Sequence, residues 1–204
     1  GDVITGLLAA AQKFMRLFIF IPTSLYGVLL PELSRSSRVS RAEVLEKLLR
    51  SWKYLLLMSL PIAGGACLLA DPIVRLLYGS AYEGAAPALR IMVWAIPFGF
   101  MNTTLRAAIA AVNLERTASL VLLLDVCVTT LCYLAVIPRF GHLGVAGTLI
   151  LSGVLAFTLQ FLLLRRALPA LRLPRDIAKH LLAVAGMMVF TWASRGNGLV
   201  FAIL

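Results

Sequence analysis

Residues 117–137 read TASLVLLLDVCVTTLCYLAVI, and this stretch decides the class of fold. Asp125 is its one charged residue, and every other position is apolar or uncharged. Because a helix needs about 20 mostly apolar residues to cross the hydrocarbon core of a bilayer, the stretch predicts a membrane-spanning helix. The turn residues Pro138 and Gly141 end it.

Comparable apolar stretches recur along the chain and predict an all-α integral membrane protein with about six transmembrane helices in one membrane domain, residues 1–204. The predicted spans are residues 5–30, 54–70, 86–112, 117–137, 143–164 and 178–193, and residues 199–204 begin another apolar run. Residues 41–53 form an amphipathic lead-in that we expect to lie along the membrane interface. Pro22, Pro61 and Pro97 fall inside spans, where proline kinks a helix.

The composition excludes most soluble classes of protein. Hydrophobic residues make up 61% of the chain and charged residues 14%, and the mean hydropathy is +0.94. Soluble domains carry about 25% charged residues. The net charge of +10 does not indicate nucleic-acid binding, because the basic residues lie in short gaps between apolar runs. The cysteines and histidines show no metal-ligand spacing, so we expect no metal and no cofactor.

Basic residues are distributed unevenly among the loops. The loops after the first, third and fifth predicted spans hold twelve Lys and Arg residues, and the alternate loops hold four. Since cytoplasmic loops carry the excess of basic residues, we expect the Gly1 end to lie outside. The twelve are Arg35, Arg38, Arg41, Lys47, Arg50, Lys53, Arg116, Arg165, Arg166, Arg172, Arg175 and Lys179; the four are Arg75, Arg90, Arg139 and Arg195.

Charged residues at membrane depth are the candidate functional residues, because each costs several kcal/mol to insert (about 2.5–3.5). Lys13 and Arg16 are three positions apart, so we expect them to share one face of the first span. Together with Arg106 they are the candidate substrate-binding residues, since arginine and lysine hold phosphate groups. Snorkelling of these side chains to the headgroups is the alternative for each of them.

Asp125 lies near the centre of its span and is too short to snorkel. It is either a structural partner of Lys13, Arg16 or Arg106, or a protonation site that couples transport to an ion. The sequence leaves both roles open.

Several motifs resemble those of one transporter family. They are Gly6-Leu-Leu-Ala-Ala-Ala-Gln-Lys13, Ile21-Pro22, Leu30-Pro31-Glu-Leu-Ser34, Leu60-Pro61, Ala70-Asp-Pro72, Leu76-Leu-Tyr-Gly79-Ser-Ala-Tyr82 and Val136-Ile-Pro138-Arg-Phe-Gly141-His-Leu-Gly144-Val-Ala146. In order and spacing they are similar to the C-terminal half of the polysaccharide and oligosaccharide flippases of the multidrug/oligosaccharidyl-lipid/polysaccharide exporter superfamily, which includes the O-antigen-type and lipid II flippases. Leu8 and Thr129 depart from that pattern, where Tyr and Asn are frequent.

The resemblance implies a transporter with two helical bundles, of which this chain would be most of the second. It implies alternating access that moves a polyprenyl-diphosphate-linked glycan across a bacterial-type cytoplasmic membrane, without enzymatic activity. The expected partners are the lipid-linked glycan, membrane lipids and an N-terminal bundle of the same protein. In lipid II flippases a basic residue at the place of Lys13 is thought to contact the diphosphate, so the resemblance carries that role to Lys13.

Two other classes of function compete with this interpretation. A drug or cation antiporter of the same superfamily should present carboxylates to its cargo, whereas here basic residues outnumber acidic ones at depth. A membrane-embedded enzyme of glycan-lipid metabolism should show clustered carboxylates or histidines at a membrane face, and the sequence shows none. Because the chain begins without Met and ends inside an apolar run, we expect it to be a piece of a longer protein.

Overall fold

The computed structural model describes residues 2–172 and 186, and these residues form helices joined by short turns, with no β-strand among them. In chain order the elements are α1 Asp2–Val39, α2 Arg41–Leu68, α3 Ala70–Tyr78, a 3₁₀ helix Ser80–Ala85, α4 Ala86–Met92, α5 Ala95–Ala111 and α6 Glu115–Ala167. The prediction of an all-α fold is therefore confirmed. The predicted span 178–193, apart from residue 186, and the run at 199–204 lie outside the described residues.

Three helical segments are long and apolar enough to cross a membrane: Gly6–Val39, Glu115–Gly141 and Leu143–Ala167. Two bent pairs also qualify: Arg41–Leu68 with Ala70–Tyr78, at 77°, and Ser80–Met92 with Ala95–Ala111, at 47°. The described part of the chain thus offers up to five spans. The first five spans predicted from the sequence lie along these segments.

Helix α1 is longer than the span predicted from it, because it continues through Pro31 to Val39. Proline removes only one backbone donor. Beyond it, the Ser36 and Ser37 hydroxyls donate to the carbonyl oxygens of Glu32 (3.0 Å) and Ser34 (2.8 Å). Leu33 is fully buried and anchors this extension against the core.

Pro22 and Pro61 lie inside α1 and α2, which stay helical on both sides of them. Pro97 lies in the first turn of α5, directly after the 47° bend that separates α4 from α5. Kinking at Pro22 and Pro61 remains a prediction.

Residues 41–53 form the first turns of α2 rather than a separate helix on the membrane interface. The Ser40 hydroxyl caps this end and accepts a hydrogen bond from the Glu43 amide, at 3.1 Å. Val44, Leu48 and Trp52 repeat every four residues, so they share one face, and all three are fully buried. The apolar face of the lead-in therefore packs against protein, where the sequence had suggested lipid.

Helix α6 breaks into two limbs, Glu115–Gly141 and Leu143–Ala167. The break is at Gly141, whose φ of 54° and ψ of −133° are not helical and whose positive φ favours glycine. The limbs approach closely just after the turn. A β-carbon added to Gly144 would lie 2.6 Å from Val136 Cγ1 and 3.1 Å from the Val136 carbonyl oxygen. The first limb and the start of the second therefore pack as a tight helical hairpin.

One end of the helices carries a concentration of exposed arginines, and we call it the basic end. The Arg41 guanidinium donates to the carbonyl oxygen of Ala167, which ties the start of α2 to the end of α6. A hydrophobic core lies beneath this contact and joins α1, α2, α5 and the second limb of α6. The exposed arginines that define the basic end are Arg35, Arg38, Arg41, Arg165, Arg166 and Arg172.

A second hydrophobic core fills the opposite end, where α1 meets α3, α4 and the first part of α5. Its residues are mostly small, such as Ala10, Ala11 and Ala88, so the helices approach closely there. The charged and polar residues of interest alternate with the residues of both cores: Lys13 precedes Phe14 of the second core, and Arg106 lies between Leu105 and Ala107 of the first.

Candidate functional site

A cavity of about 560 Å³ lies between α1, the α4–α5 segment and the second limb of α6. We call it the larger cavity. Its apolar wall includes Phe18 and Phe100. Its polar lining consists of Gln12, Arg16, Thr23, Asn102, Thr103, Arg106 and Ser152. Basic and amide groups thus face one space from α1 and α5, and the second limb of α6 adds a hydroxyl.

Arg16 and Arg106 face this cavity from two different helices, α1 and α5. The Arg106 guanidinium donates to the Thr103 hydroxyl, at 3.1 Å, and Thr103 in turn donates to the Gly99 carbonyl, at 2.9 Å. Within residues 2–172 neither arginine forms an ion pair with a carboxylate. Both cations are therefore free to attract an anion in the cavity.

Lys13 is exposed and is not among the residues that line either cavity. A helix turns by about 100° per residue, so positions three apart differ by about 60° around the axis. That offset leaves Arg16 on the cavity side of α1 and Lys13 beside it. The structure thus brings together Arg16 and Arg106 of the three candidate substrate-binding residues.

A smaller cavity of about 260 Å³ adjoins the larger one. Asn102, Arg106 and Ala156 line both cavities, so they form a shared wall. The other polar residues of the smaller cavity are Tyr26, Glu115, Ser119, Asp125 and Gln160. Asp125, and Glu115 at the start of α6, therefore face the smaller cavity and not the larger one.

Asp125 is only 8% exposed, yet its carboxylate is poorly satisfied. Its Oδ2 accepts a hydrogen bond from the Ser152 hydroxyl at 3.5 Å, and its Oδ1 has no partner among the described residues. Within residues 2–172 no Lys or Arg forms an ion pair with it. The pairing with Lys13, Arg16 or Arg106 that the sequence allowed is not formed in this conformation. A buried carboxylate left in that state is costly unless a cation or a proton reaches it.

Two amides join α5 to the second limb of α6 at the same level. Asn102 donates to the Gly153 carbonyl at 3.0 Å, and Gln160 donates to Asn102 Oδ1 at 3.5 Å. These are the interhelical hydrogen bonds expected of polar residues in membrane helices. Gln160 Oε1, however, is buried without a partner in the described part of the chain. It is a second unsatisfied acceptor in the smaller cavity.

Sequence reasoning missed Thr103, Glu115 and Ser152 as members of the site. Thr103 could have been found, because it precedes Arg106 by three positions and so lies on the same helix face. Ser152 carried no signal, since it lies on another helix and hydroxyls are common in apolar spans. Among the described residues no group of three or more His, Cys, Asp or Glu side chains could hold a metal ion.

The family model for the lipid II flippase MurJ matches residues 8–197. A solved structure of the lipid II flippase MurJ in an inward closed conformation is similar to this chain, with a TM-score of 0.77 and 18% sequence identity. The similarity covers 94% of this chain and 41% of that one, so this chain spans less than half the length of the solved protein. At that identity it shows the fold alone. No curated protein matches the chain. Because the family model covers most of the sequence, the chain belongs to the lipid II flippase MurJ family.

Proposed function

We propose that the chain is part of a flippase that moves a polyprenyl-diphosphate-linked glycan across the cytoplasmic membrane by alternating access. The observation that carries the proposal is the larger cavity, in which Arg16 and Arg106 face one space without a carboxylate partner in the described residues. A diphosphate is the part of such a cargo that two guanidinium groups recognise, since arginine binds phosphate oxygens through paired hydrogen bonds. Membership of a flippase family supports the same cargo class.

Each candidate residue has a distinct role in this proposal. Arg16 and Arg106 contact the diphosphate inside the larger cavity. Lys13, exposed beside Arg16 on α1, attracts the diphosphate on its way to the cavity. Asp125 either couples transport to an ion or serves as a structural partner. The chain is most of the second bundle of a two-bundle transporter, with its Gly1 end outside, and an N-terminal bundle completes the translocation path.

A drug or cation antiporter is the competing function, and the cavity lining argues against it. An organic cation entering the larger cavity would meet two arginines, whereas the acidic side chains Glu115 and Asp125 line the smaller one. Like charges disfavour such a cargo. Membership of a flippase family also argues against a membrane-embedded enzyme.

The test uses the full-length protein that contains this chain, expressed in cells depleted of their own lipid-linked glycan flippase. We expect the protein to restore glycan at the cell surface. Lys13→Ala, Arg16→Ala and Arg106→Ala should each reduce export, by about tenfold or more for a lost charged hydrogen bond, at unchanged abundance by immunoblot. The control is Arg139→Ala, because Arg139 is exposed and lines neither cavity.

Three outcomes would change the assignment. Normal export with Lys13→Ala would remove Lys13 from the pathway and leave the cavity arginines in place. Normal export with both Arg16→Ala and Arg106→Ala would overturn the cavity as the diphosphate site. Drug resistance without glycan export would replace the flippase by the antiporter.

A further inference from the structure

Arg106 lies in the wall that the two cavities share. Within residues 2–172 its guanidinium has a single hydrogen-bond partner, the Thr103 hydroxyl, which lies one turn earlier on the same helix. A guanidinium carries five N–H donors. Most of the donor capacity of Arg106 is therefore uncommitted, and it is within reach of whatever occupies either cavity.

On the side of the smaller cavity, the Asp125 carboxylate competes for the Arg106 guanidinium. The residue is 8% exposed, and its buried Oδ1 has no partner among the described residues. Arg106 is itself exposed, so the strength of its attraction to Asp125 comes from the burial of the carboxylate, because attraction between opposite charges strengthens as water is excluded. Glu115 lines the same cavity but is exposed, so solvent screens its charge. Arg16 is the other charged group of the larger cavity.

We propose that Arg106 is a cation shared between the two cavities, for which the Asp125 carboxylate and an anionic headgroup in the larger cavity compete. The identity of that anion as a diphosphate rests on the proposed function; the competition itself rests on the shared wall and the unsatisfied carboxylate. Coupling of this kind is reciprocal: Asp125 weakens anion binding to the same degree as the anion weakens the hold of Asp125 on Arg106.

Because of this competition, cargo binding in the larger cavity changes the charge environment of Asp125 in the smaller cavity. When a headgroup draws Arg106 toward the larger cavity, Asp125 loses the attraction of the basic residue that lines its own cavity. The carboxylate then gains affinity for another cation or for a proton. Arg106 thereby links the occupancy of the two cavities without requiring the ligands to touch.

The first measurement is the affinity of the purified full-length protein, in nanodiscs, for a polyprenyl diphosphate as probe. Arg106→Gln should weaken binding by about tenfold or more. Asp125→Asn keeps the shape of the side chain but removes its charge, and should tighten binding by about fivefold or more. The double variant should bind like Arg106→Gln alone, because Asp125 acts only through Arg106. Glu46→Gln, an exposed carboxylate change far from both cavities, is the matched control.

The second measurement does not depend on the cargo. Phenylglyoxal modifies accessible arginines, and peptide mass spectrometry resolves its reaction at each one. We expect Asp125→Asn to raise the labelling rate of Arg106 and to leave that of Arg16 unchanged.

These results separate the two proposals. Suppose that the wild-type protein does not bind the polyprenyl diphosphate but that Asp125→Asn still raises the labelling rate of Arg106. The proposed cargo would then be wrong, and the proposal of a shared cation would stand. If Asp125→Asn leaves the labelling rate of Arg106 unchanged, the proposal that Arg106 is a shared cation is wrong, whatever the cargo. Unchanged or weaker probe binding in Asp125→Asn, or tightening that persists in the Arg106→Gln background, would overturn it as well.

Discussion

The Lys47 network at the basic end and the cavity-lined middle of the molecule hold the same kinds of charged side chain, but only the network pairs them. Within residues 2–172 the six arginines that define the basic end form no ion pair, so the comparison concerns the Lys47 network alone. At the basic end Lys47 Nζ lies 3.3 Å from Glu32 Oε1 and 3.1 Å from Glu43 Oε1. The Ser36 hydroxyl shares its one proton between the Glu32 carbonyl and Glu43 Oε1, which lies 2.9 Å away. In the middle, within residues 2–172, Arg16, Arg106 and Asp125 have no ion-pair partner.

If the proposed function is right, the difference separates charges that stabilise the fold from charges that bind a ligand. A paired charge has its hydrogen-bonding needs met by its neighbours and gains little from a new partner. An unpaired charge at membrane depth lowers stability, and a ligand or ion recovers that loss on binding. Substitutions at the basic end should therefore change stability, and substitutions in the middle should change transport.

The largest expected effect is in the hydrophobic core beneath the basic end, with Trp52→Ala. Trp52 is fully buried, its ring packs against Phe157 and Phe161, and its Nε1 donates to the Thr104 hydroxyl at 2.7 Å. Truncation removes all of these contacts and should cost about 3–5 kcal/mol, read as a lower Tm of the purified full-length protein and as lower abundance in cells.

Two matched variants sharpen that measurement. Trp52→Phe keeps most of the ring packing and loses the hydrogen bond, so it should cost about 1 kcal/mol. Tyr54→Ala removes a nearby aromatic side chain that is 60% exposed, and should change the Tm little. A Trp52→Ala protein with normal Tm and abundance would break the contrast between the two regions.

The next effect is in the middle, with Asp125→Asn and Asp125→Ala. If Asp125 couples transport to an ion, both variants should reduce glycan export by about tenfold, equivalent to about 1.4 kcal/mol, while abundance stays normal. Export per molecule and immunoblot abundance are measured together. Loss of abundance with normal export per molecule would make Asp125 a structural residue and place it with the charges of the basic end.

The smallest expected effect is on stability, from the ion-pair network of Lys47, Glu32 and Glu43 at the basic end. This network lies outside the apolar part of α2. The hydrogen bond from Lys47, and then that from Ser36, lowers the pKa of Glu43 below its ordinary value of 4.5. The hydrogen bond to Glu43 raises the pKa of Lys47 above its ordinary value of 10.5. The carboxylate contribution to stability is thus present above pH 4.5 and lost as the pH falls through the lowered pKa; the lysine contribution is present below pH 10.5 and lost as the pH rises through the raised one.

Glu43→Gln should therefore lower the Tm slightly at neutral pH and flatten the acid side of its pH profile, with export unchanged. A Tm series from acid to neutral pH checks this, with Glu46→Gln as the control, since Glu46 pairs with Arg50 on an exposed face. If Glu43→Gln abolished export at a normal Tm, Glu43 would have a role in transport although its charge is already paired, which would contradict the contrast between the two regions.

The lengths of the apolar stretches account for most of the fold that could be predicted from the sequence. The five apolar stretches within residues 2–172 predicted helices where helices lie, because a membrane span depends on local composition. The positive φ at Gly141 agrees with a turn there, but the helix continues through Pro138, where the sequence predicted that the turn begins. The extension of α1 beyond Pro31 and the burial of Val44, Leu48 and Trp52 were not foreseen, since both depend on packing against distant helices.

The site was less predictable than the fold, because it depends on how each helix is rotated. Spacing suggested that Lys13 and Arg16 act together, yet only Arg16 lines the larger cavity. The sequence allowed Asp125 to pair with a basic residue, and it could not show that the nearest polar contact would be a serine of the other limb of α6. Such contacts depend on small rotations of each helix about its axis, and the hydrophobic pattern of the sequence does not specify these rotations.

The contact between Arg41 and the Ala167 carbonyl joins residues 126 positions apart, so it forms only after the end of α6 has been synthesised. When α1 and α2 leave the ribosome, Arg41 has no acceptor of this kind, and the core beneath it lacks Leu163, Leu164, Leu168 and Leu171. Both gaps close only when the end of α6 is translated. The basic end is therefore the last part of the residue 2–172 segment to assemble, and until then its arginines and apolar side chains are open to lipids and to other newly made chains.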